Sequence, residues 1–567
     1  MFNVQRPELL DRTSPWVTRP VERTVLAVVH NVTAATRLFD VLPILAEDDR
    51  VQVHFTCPES SPFHGQLAEY FSARQVTPIP WRLAVDTHFH LAIAASHGGP
   101  LHELKTPLIV LPHGMGYNKI LDRKPETGNR KPETGNRKPV FGLSPEWLLH
   151  DGQVIASSLV LSHPEQLDRL QRSCPEAANV AVVAGDPSFD RMLASLPLRH
   201  LYREALDIAH SQRLIVISST WGPASLYGRQ PDLVERLSAE LPLDDYAIAI
   251  ALHPNTWSAH SPWQIRRWLE SCTRSGVRVF PADEGWRAGL VAADLVIGDH
   301  GSVTFYAASL GRQIALAEAP HHTVDPTSAI GRFLTAASRL DSSQRLRPQV
   351  EKLLAHGQPS DIRELAELTT SVPLKSHALL RAEFYRLLNL PEPNTPAEAV
   401  TLPFPEIDAH TAVLQSVHVI LGHDSDVMTA TVTRFPAASV LHGRPLGDGA
   451  HLVVHTNEPS ETALQLADIV VHDDPSETTE WLARTLASLP GAAVVTRPIS
   501  DTAWLAGIRD GHQIRFDQAG AFGPACASIA LTWAASGRRL CGFPERFDLI
   551  IGATRHHITA ATTRCDC

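Results

Sequence analysis

A chain of 567 residues is too long for one hydrophobic core, and three or four domains are expected. Its 44% hydrophobic and 20% charged residues are those of an ordinary globular protein. A formal net charge of −11 with no basic block argues against nucleic acid as the principal ligand. The seven cysteines (Cys57, Cys174, Cys272, Cys526, Cys541, Cys565 and Cys567) are odd in number and mostly in apolar surroundings, which predicts a reduced, cytoplasmic setting. The N-terminal segment carries Arg6, Glu8, Asp11 and Arg12 without an apolar signal core. No run reaches the ~18 apolar residues that a membrane span needs.

In chain order, Thr24–Val29 reads as a strand, followed by a turn at His30-Asn31 and an amphipathic helix from Thr33. Strands are expected near Val51–Phe55, His90–Ala94, Pro107–Leu111, Val154–Leu161 and Val180–Ala184, with helices between most of them. A second series runs through Arg213–Ile217, Ala247–Leu252, Val277–Phe280, Leu295–Ile297 and Gln313–Ala317. Strands alternating with helices at this spacing predict an α/β fold with parallel sheets. Two successive series suggest a GT-B-like pair of Rossmann-like domains facing a cleft. Residues 1–195 are assigned to the first of these domains and 196–390 to the second. The Pro-rich stretch 391–403 reads as a stiff linker, and 404–567 as a C-terminal accessory α/β domain. Strands are expected there near Val417–Leu421, Leu452–His455, Ile469–His472 and Ala493–Thr496.

One heptapeptide, Arg123–Asn129, is repeated at Arg130–Asn136. Its Pro, Gly and charge content predicts a mobile surface loop, either a slipped duplication or a basic lid beyond the strand end at His113.

The segment from Ala293 to Gly311 reads as an apolar strand, a polar turn, and a helix with Ser302 and Thr304 in its first turn. The start of a helix presents unpaired amides and the positive end of the macrodipole, which suits a phosphate. Hydroxyls at this place are also ordinary capping groups. Upstream, Ala249–Leu252 ends in His253-Pro254, and ligands of open α/β sheets bind at such C-terminal strand ends. His113 also ends an apolar run and is followed by Gly114 and Gly116, where backbone can approach a ligand closely. An imidazole there could take the proton of an attacking hydroxyl.

Together, His253-Pro254, the Asp299-x-x-Ser302 turn and Gly311 resemble the CDP-glycerol glycerophosphotransferase family, which extends teichoic-acid chains with a GT-B fold. Leu111-Pro112-His113-Gly114, Gly185-x-Pro187-x-x-Asp190 and Ser218-Ser219-Thr220-Trp221 resemble three further elements of that family. The resemblance covers roughly Thr24 to Leu390. It departs at Met115, where a Thr is usual, at Lys119, one position late, and at Ser188, where an Arg is usual. In the turn, His300-Gly301 stands for Tyr-Ser. The resemblance implies a transferase moving a glycerophosphate or sugar from a nucleotide-activated donor, CDP-glycerol or a nucleotide sugar, to a hydroxyl acceptor such as a polymer or lipid-linked glycan. Peripheral membrane contact would come through that acceptor. His113 and His253 are the expected catalytic residues. Gly114, Thr220, Pro254, Asp299, Gly301, Ser302, Val303, Thr304 and Glu318 are the expected nucleotide-binding residues, Glu318 where such enzymes hold a ribose hydroxyl. Two other readings stay open: a nucleotide-sugar 2-epimerase, and a GT-B relative reduced to binding or scaffolding.

Neither a separate cofactor nor a metal is expected. His423-Asp424-Ser425-Asp426, His472-Asp473-Asp474, and His556-His557 with Cys565 and Cys567 contain metal-ligand residue types, but Asp and Ser are ordinary in turns and a chain with 29 His makes such groups by chance. No Walker loop, zinc-enzyme helix or hydrolase elbow is present.

Overall fold

The structure, a computed structural model, describes residues 18–19, 21–58, 64–121, 139–407, 414–424, 427–438 and 446–564. The repeat Arg123–Asn136 lies outside the described residues, as do Ser425, Asp426, Cys565 and Cys567.

The first sheet contains β1 (Arg23–Val28), β2 (Val51–Cys57), β3 (Ile79–Pro80), β4 (Leu91–Ala94) and β5 (Leu108–Val110). A short antiparallel pair follows, β6 (Leu149–His150) with β7 (Gln153–Val154), and then β8 (Ser158–Leu161) and β9 (Ala181–Val183) complete the main sheet. Its order is β3-β2-β1-β4-β5-β8-β9 and its pairs are parallel. The second sheet contains β10 (Arg213–Ser219), β11 (Tyr246–Leu252), β12 (Arg278–Val279), β13 (Leu295–Gly298) and β14 (Gln313–Leu316), ordered β12-β11-β10-β13-β14 and also parallel.

The apolar runs of these strands follow from their double burial. Val25 and Ala27 of β1 pack into one core, while Leu26 and Val28 pack into the core on the other face. In β10, Leu214 and Val216 face one layer of helices, and Ile215 and Ile217 face the other. A strand covered on both faces has no polar side to show, hence the near-continuous hydrophobic reading. These are two Rossmann-like halves of a GT-B-like fold, facing each other across a cleft at the C-terminal edges of their sheets.

The helix Ser376–Leu388 differs from its sequence assignment to the second half. Leu380, Phe384, Tyr385 and Leu388 pack into the core of the first half. The crossing is anchored by Asp190, fully buried, which accepts hydrogen bonds from the Leu374 amide at 2.7 Å and the Ser376 amide at 2.9 Å. This is the carboxylate of Gly185-x-Pro187-x-x-Asp190, and its work is structural.

The C-terminal region departs further from expectation. β15 (Leu414–Asp424), β16 (Val427–Pro436), β17 (His451–His455), β18 (Ile469–Val471), β19 (Val494–Pro498), β20 (Trp504–Ile508), β21 (His512–Asp517), β22 (Arg546–Ile551) and β23 (Thr554–Arg564) close into a barrel of order β15-β16-β22-β23-β21-β20-β19-β18-β17. The helix Gly523–Ala535 contributes Ala525, Cys526, Ala527, Ile529 and Ala530 to the barrel core. Mixed parallel and antiparallel pairs conceal this closure in the sequence, because only the β17–β19 stretch has a βαβ rhythm. The barrel is tied to the second half by Arg434 on Asp244 and by Arg274 on the fully buried Glu458 carboxylate.

Candidate functional site

Register brings the predicted site residues of the second half together. Ser219 pairs with Leu252 and Ile217 with Ile297, so Thr220, His253 and the Asp299–Ser302 turn emerge at one edge of the sheet. In the first half, Val28 pairs with Ala94 and Ala94 with Val110, which sets His30, Ser96-His97 and Pro112-His113 side by side. The two edges enclose a cavity of about 270 Å³, whose wall includes His113, Gly114, Thr220, His253, Pro254, Gly301, Ser302 and Val303. Arg37, His97, Lys119, Trp221, Trp286 and His300 complete its chemically distinctive lining.

The turn after β13 is held by Asp299. Its buried carboxylate accepts from the Thr220 amide at 2.9 Å, the Thr220 hydroxyl at 2.7 Å, the Leu226 amide at 3.0 Å and the Gly301 amide at 3.1 Å. Asp299 thus joins two strand ends and does not line the cavity. Gly301 is the N-cap of the helix Ser302–Ser309 and provides no side-chain cap, so the first amides of that helix stay available. A Cβ at Gly301 would come within 2.6 Å of Thr220 Cγ2, and one at Gly114 within 2.8 Å of Ser302 Oγ. Glycine at both places lets the walls approach. Across the cleft, the Ser302 hydroxyl accepts the Met115 amide at 3.1 Å.

Two expected ligand residues stand elsewhere. Thr304 is fully buried with its hydroxyl against Gly298, where an added Cβ would come within 2.0 Å of Oγ1. Three residues into the helix, its side chain points back over the preceding turn and not out toward the cavity. Glu318 accepts from Gln230 Nε2 at 2.8 Å, away from the cavity lining.

The two expected catalytic imidazoles stand in different surroundings. His253 caps the helix Pro254–His260, its Nδ1 accepting the Asn255 amide at 3.0 Å. An accepting Nδ1 leaves the proton on Nε2, so the ring presents a donor. For His113, the Ala95 backbone raises the proton affinity of the ring while burial keeps it neutral, and a neutral imidazole carries a lone pair on one of its two nitrogens. Burial holds both rings neutral. His113 is pushed down to about 4 by desolvation, with Lys119, His30 and Arg37 acting in the same direction. His253 lies well below its ordinary value for the same first cause, followed by Lys119 and His113. His300 is lowered to about 4 by burial, against the opposing pull of Asp299.

Positive charge surrounds these rings. Lys119 stands 5.5 Å above the Trp221 ring, and burial lowers its ammonium pKa while Asp299 opposes the shift. Arg37, 6% exposed, lies 3.3 Å from Asp40, which also binds Arg287 and Arg191. Glu284 also pairs with Arg287, and the buried Asp186 lies close enough to act on Arg37. Asp283, the one carboxylate among the described lining residues, is itself paired with Arg74 at 3.1 Å. Two cations, Arg37 and Lys119, thus stand among the described lining residues against this one paired carboxylate. Trp221, 43% exposed beside it, offers a flat apolar face.

Sequence alone does not single out Arg37, His97 and Trp286. His97 carries the same signature as His113, a strand end followed by glycines, in Ser96-His97-Gly98-Gly99. Arg37 is legible only as one turn beyond Thr33 on the first helix. The residues with metal-ligand character serve as turn and ladder groups: the Asp474 amide donates to His472 Nδ1 at 3.0 Å, His455 meets Asp473 at 3.1 Å, and His557 meets Asp548 at 2.6 Å. Among the described residues, no group of three or more His, Cys, Asp or Glu is placed to hold a metal ion. Nor is any described helix long and apolar enough to cross a membrane.

No protein-family model matches the sequence, and no curated protein does. Several solved structures are similar in shape. The UDP-GlcNAc 2-epimerase of Neisseria meningitidis bound to UDP-GlcNAc aligns over 65% of this chain and 99% of its own, at 14% identity and a TM-score of 0.38. The wall teichoic acid polymerase TagF aligns over 65% of this chain and 89% of its own, at 13% identity and a TM-score of 0.40. The UDP-GlcNAc 2-epimerase of Methanocaldococcus jannaschii aligns over 64% of this chain and 99% of its own, at 12% identity and a TM-score of 0.39.

Proposed function

We propose that the protein is a transferase that moves a glycerophosphate or sugar from a nucleotide-activated donor to a hydroxyl acceptor. The observation that carries this reading is the pair of opposed imidazoles on one cation-lined cavity. His253 offers an N–H and His113, buried and neutral, the lone pair of a neutral imidazole, which are the two things such a transfer needs from its walls.

The donor's phosphates lie against the first amides of the helix Ser302–Ser309, with Lys119, Arg37 and the Nε2–H of His253 around them. Charge that builds on the leaving phosphate is thereby met by groups already in place, which lowers the barrier without reorganisation. On the opposite wall, His113 takes the acceptor hydroxyl proton as the new bond forms. With CDP-glycerol, the acceptor oxygen bonds to phosphorus while the P–O bond to CMP breaks. With a nucleotide sugar, it bonds to the anomeric carbon and the nucleoside diphosphate leaves. Beside Lys119 and Arg37 alone His113 is a weak base; the negative charge of a bound donor opposes those cations and raises its proton affinity.

Thermal shift with a panel of nucleotides tests the reading. Stabilisation by CDP and CMP supports the glycerophosphate donor, and stabilisation by UDP or GDP a sugar donor. No stabilisation by any nucleotide overturns it. Release of UDP from a UDP-sugar without acceptor would favour the epimerase reading in its place.

A further inference from the structure

The transfer reading makes no use of the barrel, and one strand of the barrel outruns the strand beside it. β16 pairs with β15 along Gln415–Asp424, but β17 on the other side pairs only with Leu414–Val417. Among the described residues, His418–Asp424 therefore has a neighbouring strand on one side alone. Leu452 of β17 bonds away from β15, its amide to the Asp468 carboxylate at 2.7 Å and its carbonyl to the Asp468 amide at 3.0 Å. Alternation then makes Gln415–Val453 and Val417–His451 the bonded pairs of β15 and β17. Continued past β17, it turns the amides and carbonyls of Val419, Leu421 and His423 to the open side.

A bare edge is a template for another strand, and proteins usually blunt it with lysine, proline or a bulge. Val419-Ile420-Leu421 has none of these. Its pairing with β16 runs one to one from Gln415–Pro436 to Asp424–Val427, without a bulge. Val419 and Leu421 pack toward the barrel core, while Ile420 stands 71% exposed on the outer face.

The stretch is complementary to itself. Turned about a two-fold axis at Leu421, it lies antiparallel to its own copy, with Leu421 meeting Leu421 and Val419 meeting His423. Every outward-facing residue then meets an outward-facing one, as bonded pairs require. On the outer face, Ile420 meets Gly422, which has no side chain to obstruct it. At the ends, His418 meets Asp424, an imidazole N–H against a carboxylate that already touches Arg555 at 3.2 Å. An axis moved to Val419 would need Val417, which β17 already occupies. We propose that the open edge of β15 binds a second copy of this chain in this register, joining two barrels through one continuous sheet. A single strand edge buries less than the ~1,200 Å² of a standard interface, so the dimer is expected to be weak and concentration-dependent.

Sedimentation velocity of the full-length protein over a concentration series tests this, and a monomer–dimer equilibrium is expected. Ile420→Lys puts a charge on the edge, and His423→Pro removes an outward amide. Both side chains are exposed, so melting temperature should hold while the dimer Kd rises at least about tenfold. His418→Asp should weaken the dimer too, and Asp424→His added to it should restore association. Oxidised Leu421→Cys protein should bridge through that position to its own equivalent, since a bonded pair sets Cα atoms about 5.5 Å apart, within disulfide reach. Peptide mass mapping identifies the bridge. A protein that stays monomeric at every concentration overturns the proposal and leaves the edge to an extended peptide of another chain. So does a dimer indifferent to both Ile420→Lys and His423→Pro, or Leu421→Cys protein whose bridges join only other cysteines.

Discussion

Replacing Asp299 by Asn keeps the shape of the side chain and removes its charge. The carboxylate is fully buried and accepts four hydrogen bonds, three on Oδ2 from Thr220 and Leu226 and one on Oδ1 from the Gly301 amide. Asn has a single acceptor oxygen. If that oxygen keeps the Oδ2 place, its NH₂ faces the Gly301 N–H, donor against donor, and that amide loses its partner. The other three bonds fall from charge-assisted to neutral, about 1 kcal/mol each, and the orphaned amide adds about 1–3 kcal/mol. Relief from holding a buried charge offsets part of this. A net loss of about 3–5 kcal/mol is expected. Urea unfolding followed by tryptophan fluorescence reads it well, because Trp221, Trp257, Trp263, Trp268 and Trp286 all lie in the second half. Nucleotide affinity should fall with it, since the Gly301–Ser302 turn loses its anchor. Thr220→Val removes one bond of the set, so the two substitutions should couple by about 1 kcal/mol in a double-mutant cycle. A loss below about 1 kcal/mol for Asp299→Asn, with Thr220→Val strictly additive to it, would refute the claim that this carboxylate organises the turn.

His113→Ala should lower turnover by at least ~10²-fold with near-normal nucleotide affinity, while His253→Ala should mainly weaken donor binding; steady-state kinetics beside titration calorimetry separates the two, and reversed effects would exchange the walls of the cleft. Ser302→Ala should weaken nucleotide binding by about 1–3 kcal/mol, whereas Thr304→Ala should leave affinity unchanged, and Gly298→Ala should destabilise the fold unless Thr304→Ala accompanies it; equal affinity losses for Ser302 and Thr304 would contradict this division. Acid should destabilise the protein in a defined window. His30 and His300 are pushed down to about 4 and His97 to about 3 by burial, so above pH ~6.5 neither folded nor unfolded chain protonates them. As pH falls from about 6.5 toward 4 the unfolded chain takes up protons that the folded one refuses, and stability drops until the folded rings titrate too. Urea midpoints that stay flat between about pH 7 and 4.5 would show that these rings are not buried neutral.

Strand order and strand ends are legible because parallel strands covered on both faces are written as unbroken apolar runs, and the residues just beyond each run form the cleft edge. That rule alone finds His113, His253 and the Asp299–Ser302 turn. The rule names positions and not directions. Thr304 reads as a ligand because it lies in the first turn of the helix, yet its Cβ points back onto Gly298. Asp299 groups with the ligands in the sequence, but its four bonds are all internal. His97 obeys the same strand-end rule and still escapes notice, since nothing in Ser96-His97-Gly98-Gly99 announces that it would line the cavity. The return of Ser376–Leu388 to the first core and the closure of the C-terminal barrel are long-range pairings, such as β16 with β22 and β15 with β17, and local periodicity carries no record of them.

The Met115–Leu121 loop shows why the two halves act as one site. It grows from the first half, beyond β5, yet much of its backbone is bonded to the second. Ile120 donates to the Thr323 carbonyl at 3.0 Å, Asp325 donates to the Asn118 carbonyl at 2.8 Å, and Met115 donates to Ser302 Oγ at 3.1 Å. Arg169 of the first half adds an ion pair to Asp325 at 3.2 Å. Lys119 sits in the middle of this loop, and its charge acts on His113, His253 and His300 alike. The barrel is tied to that same second half by Arg434 on Asp244 and Glu458 on Arg274. Lys119, which acts on all three rings, is therefore held in place by contacts made to the second half, so the charge on the cavity depends on these cross-links as well as on the strand from which the loop grows.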